Sequence, residues 1–121
     1  MKLTLYESCF AICRLDPHDP LPAWADGALL SITRTPRELS ILCAESAVPE
    51  GVRAETGFRA MEVLGPLDFS AVGILASLAT PLAEAGISIL AVSTFDTDVV
   101  LVREGDLDAA IAALAQEGIS H

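Results

Sequence analysis

The chain has 121 residues, 52% of them hydrophobic, which is enough for one ordinary domain or two very small ones without metals or disulfides. Its net charge of −10 excludes the basic face that nucleic acids and anionic membranes require. The apolar stretch 72–83 is interrupted by Ser77, Thr80 and Pro81 and is too short to span a bilayer, and Glu7 precedes any long apolar segment. We therefore expect a cytoplasmic protein without a signal peptide.

The first strand-like segment carries two of the three cysteines. Residues 10–15 are predicted to form a strand, and Cys9 and Cys13, four positions apart, share one of its faces. Their spacing is not that of a zinc knuckle, and an odd cysteine count argues against a disulfide framework. We interpret both as small buried apolar residues. His18 lies in the turn 16–20 and is expected to be exposed to solvent.

A hairpin with reduced flanking elements follows. Residues 20–25 can form only a turn or two of helix. Residues 30–34 and 38–42 are predicted to be paired strands, joined by a turn that carries two arginines and a proline. Residues 46–50 are at most a remnant of a helix before Gly51.

The second half of the chain has a clearer pattern. Residues 58–64 are predicted to form a strand, and Asp68 or Ser70 is placed to cap the helix that follows. Its apolar stripe comprises Ala71, Val72, Leu75, Ala76, Leu78, Ala79, Leu82 and Ala83. Pro81 predicts a kink or a broken last turn, and Gly86 ends the helix.

The remaining elements are a hairpin and a helix. Residues 87–92 and 98–102 are rich in β-branched residues, and the short connection between them requires antiparallel pairing. The last helix is predicted to begin near Asp106 and to end at Gly118.

The two halves match when they are superposed along the sequence. A shift of 60 residues places the first hairpin on the second, and a shift of 48 places residues 10–15 on 58–63. We predict an α+β fold of two ferredoxin-like βαββαβ units, 1–57 (degenerate) and 58–121, with antiparallel sheets and helices on one face. Residues 3–6 are one candidate for the missing last strand of the second unit.

Two polar segments of the second half could bind a ligand. The turn 94–98 contains two aspartates, and the loop 66–70 leads to a helix N-terminus, where backbone N–H groups favour a carboxylate. Taken singly, they also fit an ordinary hairpin turn and an ordinary helix cap. Together they could hold the carboxylate and the ammonium of a free amino acid. No phosphate-binding glycine loop, nucleophile elbow or metal-ligand spacing is present, so we predict no cofactor and no metal.

Residues 73–89 and 92–102 resemble ACT domains, most clearly in the runs A-E-A-G-I-S-I and S-T-F-D-T-D. They are similar to small bacterial proteins with two tandem ACT-like units, to the ACT regions of aspartate kinases and to the Castor-type arginine sensors. The resemblance implies βαββαβ units that associate with one another, here as a homodimer, and amino-acid binding at unit or subunit interfaces. It also implies regulation rather than catalysis.

The resemblance carries a set of site residues with it. The implied ligand-binding residues are Leu67, Asp68, Ser70, Val72, Gly73, Thr94, Phe95, Asp96, Thr97 and Asp98. Asp98 matches an acid that helps to hold arginine in the Castor-type sensors. Those sensors have four units and bind between two of them, whereas this chain has two, so a comparable site would need a partner chain.

Three functions follow from these patterns. The first is a non-catalytic regulatory or sensing protein that binds a small amino acid. The second is an assembly module that only dimerises or docks a partner. The third is a small enzyme that uses the thiol of Cys9 or Cys13.

Overall fold

The computed structural model describes residues 1–68 and 70–121, so Phe69, in the predicted loop 66–70, lies outside the described residues. The elements in chain order are β1 Leu3–Leu5, β2 Phe10–Leu15, β3 Ser31–Arg34, β4 Leu39–Ala44, β5 Ala54–Val63, α1 Ile74–Glu84, β6 Ile89–Ser93, β7 Asp98–Arg103 and α2 Leu107–Gln116. Short 3₁₀ turns follow β4 and β7. The chain divides into two compact units, which we call the small unit (Ser8–Phe58) and the helical unit (Met1–Glu7 with Arg59–His121).

The helical unit has the predicted ferredoxin-like strand order. Its strands lie in the order β1-β5-β7-β6, and β1 pairs antiparallel with β5 through Leu3 and Val63. Helices α1 and α2 pack on the sheet through Leu78, Leu82 and Leu114, which are all buried. The α+β fold class is therefore confirmed, and β1, from the start of the chain, takes the position of the last strand in a βαββαβ unit.

The prediction for the start of the first helix is wrong. Helix α1 begins at Ile74, and its N-cap is Gly73 in the left-handed conformation, with φ of 80°. Asp68 forms a local turn instead, because its side chain accepts the N–H of Ser70 at 3.0 Å and its carbonyl accepts that of Ala71 at 2.9 Å. Ala71 and Val72 consequently precede the helix and are exposed, rather than forming part of its apolar stripe.

The C-terminal ends of the helices follow the sequence signals. After α1, the N–H of Gly86 donates to Ala83 and that of Ile87 to Leu82, and the same bonding pattern recurs after α2 around Gly118. Both glycines have positive φ, 75° and 77°, which a glycine adopts at low cost. Pro81 does not break the last turn of α1, because the N–H of Ala85 still donates to the Pro81 carbonyl at 3.1 Å.

The small unit keeps the strands and lacks the helices. Its strand order is β3-β4-β2-β5, and no α-helix occurs among its residues, all of which the structure describes. One sheet face carries a cluster that includes Ala11, Cys13, Ile41 and Cys43, covered by side chains such as that of Trp24 from the connecting segments. Cys9 was predicted within the first strand, but it precedes β2 and is only half-buried.

The two hairpins have the same register, but the predicted shift of 60 is one residue too long. Arg34 ends β3 and Ser93 ends β6, while Leu39 begins β4 and Asp98 begins β7. Both pairs give an offset of 59 (93 − 34 and 98 − 39). The sequence match had aligned Glu38 with Asp98 because both are acidic, whereas the strand pairing makes Leu39 the counterpart of Asp98.

Candidate ligand-binding site

A cleft of about 310 Å³ lies within the helical unit, between the loop after β5, the start of α1 and the β6–β7 turn. It is lined by Leu67, Asp68, Ala71, Gly73, Ile74, Leu75, Ser93, Thr94, Phe95, Asp96, Thr97 and Asp98. The volume suits a molecule at the small end of the range of ligand pockets.

The β6–β7 turn is held closed by the side chain of Thr94. The side-chain Oγ1 of Thr94 accepts the N–H of Thr97 at 3.1 Å. The backbone N–H of Thr94 also donates to the carbonyl of Thr97 at 2.8 Å. At the base of the turn, Ser93 Oγ donates to Asp98 Oδ1 at 2.6 Å across the strand pair. These bonds fix the positions of the aspartates relative to the sheet.

Two further hydrogen bonds join the turn to the end of β5. The N–H of Leu67 donates to the carbonyl of Asp96 at 2.7 Å, and Thr97 Oγ1 donates to the carbonyl of Val63 at 2.7 Å. Gly65 fits closely beneath them, and its bond to Pro66 is cis. One wall of the cleft is therefore a cross-linked pair of loops rather than two independent segments.

The opposite wall presents the N-terminus of α1. No side chain among the described residues caps this helix, so its first backbone N–H groups have no side-chain acceptor there and form the positive end of the helix dipole. Ser77 donates from Oγ to the Gly73 carbonyl at 2.8 Å, which reinforces the first turn. The cleft thus offers hydrogen-bond donors for a carboxylate without a basic side chain.

The charged side chains that line the cleft are all acidic. Asp68, Asp96 and Asp98 are aspartates on the loop and the turn, and no Lys or Arg occurs among the described lining residues. Asp96 is exposed, whereas Asp98 is half-buried. The arrangement favours a ligand that carries positive charge in addition to any carboxylate.

The structure brings most of the predicted site residues together. All of them line the cleft except Ser70 and Val72, which lie in the segment before the late-starting helix. The sequence prediction missed Ala71, Ile74, Leu75 and Ser93. A signal for Ser93 was available, because strict pairing from the turn outward places it opposite Asp98.

Cys13 and Cys43 of the small unit are poor nucleophiles. Burial, with a contribution from Cys43, raises the pKa of Cys13 from its ordinary value of 9.0 to about 11. Burial also raises the pKa of Cys43. With this pKa, the Cys13 thiol is protonated at neutral pH. Because the thiolate is the reactive form of cysteine, Cys13 has little nucleophilic character there. His18 is exposed in its turn, as predicted.

Residues 1–68 and 70–121 contain neither a membrane-spanning helix nor a cluster of metal-ligating side chains. No helix there has the length and apolar character needed to cross a membrane. No group of three or more potential metal-ligating side chains is found in the same part of the chain.

The fold and the cleft define a small α+β domain of the ferredoxin-like class. The regulatory subunit of aspartate kinase from Thermus thermophilus has the same fold, with a TM-score of 0.67 and 14% identity over 94% of this chain and 95% of that chain. The chain belongs to the ACT-domain family, whose model matches residues 53–116. A second family model, for an N-terminal domain, matches residues 8–51.

Relatives share more of the sequence. A crystal structure of an Agrobacterium tumefaciens protein is 42% identical, with a TM-score of 0.93 over 98% of this chain and 90% of that chain. The Homo sapiens protein named cytosolic arginine sensor for mTORC1 subunit 1 is 32% identical over 108 residues, which are 80% of this chain and 33% of that protein. The chain therefore spans about a third of the length of the curated relatives it matches.

Proposed function

We propose that the protein is a non-catalytic amino-acid sensor and that the cleft of the helical unit binds the ligand. The observation that carries the proposal is the pairing of an uncapped helix N-terminus with three aspartates around one cleft. The α-carboxylate would accept hydrogen bonds from the N–H groups at the start of α1. The α-ammonium would lie near Asp96 or Asp98.

The lining favours a cationic amino acid. A ligand with one carboxylate and two positive groups, such as arginine or lysine, would balance the aspartates better than a neutral amino acid. Asp98 has one carboxylate oxygen bound to Ser93, which holds the group in place and leaves its other oxygen for a ligand. The name of the human relative, an arginine sensor, supports the same class of ligand.

The remaining parts of the proposal concern organisation. We propose that the chain is a tandem pair of ACT-like units that divide near residue 57, with β1 contributed to the second unit, and that it acts in the cytoplasm as a homodimer. The equal register of the two hairpins supports the tandem pair, and three cysteines that form no disulfide support a reducing compartment. In the homodimer, a subunit interface would cover the open side of the cleft.

The test is a ligand screen with the full chain. Each of the twenty amino acids is added at 5 mM, and the melting temperature is measured by differential scanning fluorimetry. A ligand at about 100 times its Kd stabilises the folded state by about 2.7 kcal/mol, which is a shift of several degrees for a domain of this size. We expect arginine or lysine to produce the largest shift.

Two variants locate the site. Asp98→Asn should weaken binding at least tenfold by calorimetry, because it removes a charge from the cleft. Asp108→Asn is the matched control, since Asp108 is an exposed aspartate in the first turn of α2, outside the cleft lining. A folded wild-type protein free of ligand that responds to none of the amino acids would exclude this function.

An assembly module is the second candidate function. Val72 and Phe95 are 94% and 79% exposed, which is unusual for large apolar side chains and suits a protein contact. This function predicts an oligomer by light scattering whose mass is unchanged by amino acids or by Asp98→Ala. A dimer that forms only with bound amino acid would favour the sensor instead.

A further inference from the structure

In the small unit, the side chain of Arg34 joins two segments whose counterparts in the helical unit together form one wall of the cleft. Arg34 is the last residue of β3, and it lies on the surface. Its Nη1 donates to the carbonyl of Pro17, and its Nη2 donates to the carbonyl of Asp19 at 2.9 Å. One guanidinium thus connects the hairpin to the turn that follows β2.

The correspondence with the helical unit rests on the strand ends. The hairpin offset of 59 makes Ser93 the counterpart of Arg34. Strands β2 and β5 end at Leu15 and Val63, so the turn after β2 is the counterpart of the loop after β5. In the helical unit, the short side chain of Ser93 donates to Asp98 on the neighbouring strand. There the hairpin and the loop are joined instead by the bonds from Leu67 to Asp96 and from Thr97 to Val63, and together they form one wall of the cleft.

The turn after β2 is closed by its own hydrogen bonds. The N–H of Asp19 donates to the carbonyl of Asp16 at 3.1 Å, and the N–H of Asp16 donates to Asp19 Oδ2 at 3.3 Å. The carbonyl oxygens of Pro17 and Asp19 are therefore positioned by bonds that do not involve Arg34. A planar guanidinium with several donors matches two such acceptors, whereas an ammonium is a compact point charge.

We propose that the turn 16–20 is a guanidinium-binding site that the chain occupies with its own Arg34. The small unit consequently takes no free ligand at this place, and one chain binds at most one ligand. The statement about ligand number rests on the proposed function of the helical unit, but the guanidinium site itself does not.

Chemical rescue in the full chain tests the site. We expect Arg34→Ala to lower the melting temperature by about 3–6 °C, as loss of two exposed hydrogen bonds would in a domain of this size. Methylguanidinium at 20 mM should restore at least half of that loss. Methylammonium at the same concentration and ionic strength should restore none. All shifts are taken as differences from the wild-type protein under the same conditions.

Matched variants separate this site from other effects. Arg53→Ala removes an exposed arginine of the same unit, and methylguanidinium should give it no rescue. If Arg34→Ala does not fold, Arg34→Lys retains the positive charge without the planar fork and should show the same selective rescue. Equal rescue by the two cations, or no rescue of a folded Arg34 variant, would overturn the proposal.

A further variant distinguishes the two sites. Rescue of Arg34→Ala should persist when Asp98→Asn is added, because Asp98 belongs to the helical unit. Rescue that disappears with Asp98→Asn would mean that methylguanidinium acts at the helical cleft, and it would refute the site at 16–20. If methylguanidinium rescues Arg34→Ala but the wild-type protein binds no amino acid, the proposed sensor function is refuted and the guanidinium site is retained.

Discussion

The close fit around Gly65 makes the wall of the cleft sensitive to a single methyl group. A Cβ on residue 65 would lie 3.0 Å from the nitrogen of Leu67 and 3.3 Å from the carbonyl oxygen of Asp96. These two atoms are the donor and the acceptor of the 2.7 Å bond between loop and turn. Gly65→Ala therefore forces both backbone segments to move, and the bond lengthens or breaks.

The expected cost follows from these contacts. Loss of the hydrogen bond costs about 0.5–1.5 kcal/mol, and displacement of two packed backbone segments costs about 1 kcal/mol more. The smaller entropy of alanine in the unfolded chain offsets about 0.4–1 kcal/mol. We expect Gly65→Ala to lower the free energy of unfolding by about 1–2 kcal/mol and to weaken any ligand binding in the cleft.

The assay is urea denaturation at 25 °C with Gly105→Ala as the control. A Cβ on Gly105 would meet nothing within 4 Å, and its φ does not lie in the left-handed region. Gly105→Ala should leave the stability unchanged or raise it by up to about 1 kcal/mol. Equal stability of the two variants, with equal m-values, would show that the loop and the turn are not rigidly joined and would refute the reasoning.

Two further predictions concern the cores. Leu82→Ala should lower the free energy of unfolding by about 2–5 kcal/mol in the same assay, because Leu82 is fully buried in the core of the helical unit; a loss below 1 kcal/mol would contradict that packing. Stability should also fall as pH rises from 9 to 11, because the raised pKa of Cys13, about 11, keeps its proton in the folded state after the unfolded thiol has lost it. Comparing urea midpoints across that interval, Cys13→Ala should show a shallower decline than the wild-type chain, and identical slopes would disprove the assignment.

The sequence patterns that predicted the fold were those with one physical meaning. Two strands rich in β-branched residues and separated by only about five residues allow only a hairpin, and Gly86 and Gly118 fall where a helix must end in the left-handed conformation. The first hairpin was harder to place. Its acid at Glu38 matched that at Asp98, whereas Thr35 and Thr94, each of which binds its own turn through Oγ1, give the correct offset.

The error at the start of α1 comes from a residue with two possible roles. Aspartate before a helix can cap it or can close a turn of its own, and a single sequence does not distinguish these. Asp68 closes a turn, so the helix begins only after Gly73. Ser70 and Val72, which the resemblance included among the site residues, consequently precede the helix and do not line the cleft, whereas Ile74, at the true start of α1, does.

Strand β1 has a consequence for how the helical unit is assembled. Leu3 pairs with Val63, and its N–H donates to the carbonyl of Ser120 at 2.7 Å, so the unit joins parts of the chain that are far apart in sequence. During synthesis, β1 is made well before its partner β5, and such non-local contacts slow folding because they close long loops. A fragment that begins at residue 59 would lack β1, which belongs to the same unit, and the edge of β5 that pairs with β1 would be exposed. Studies of folding or ligand binding by this unit therefore require the uncut chain.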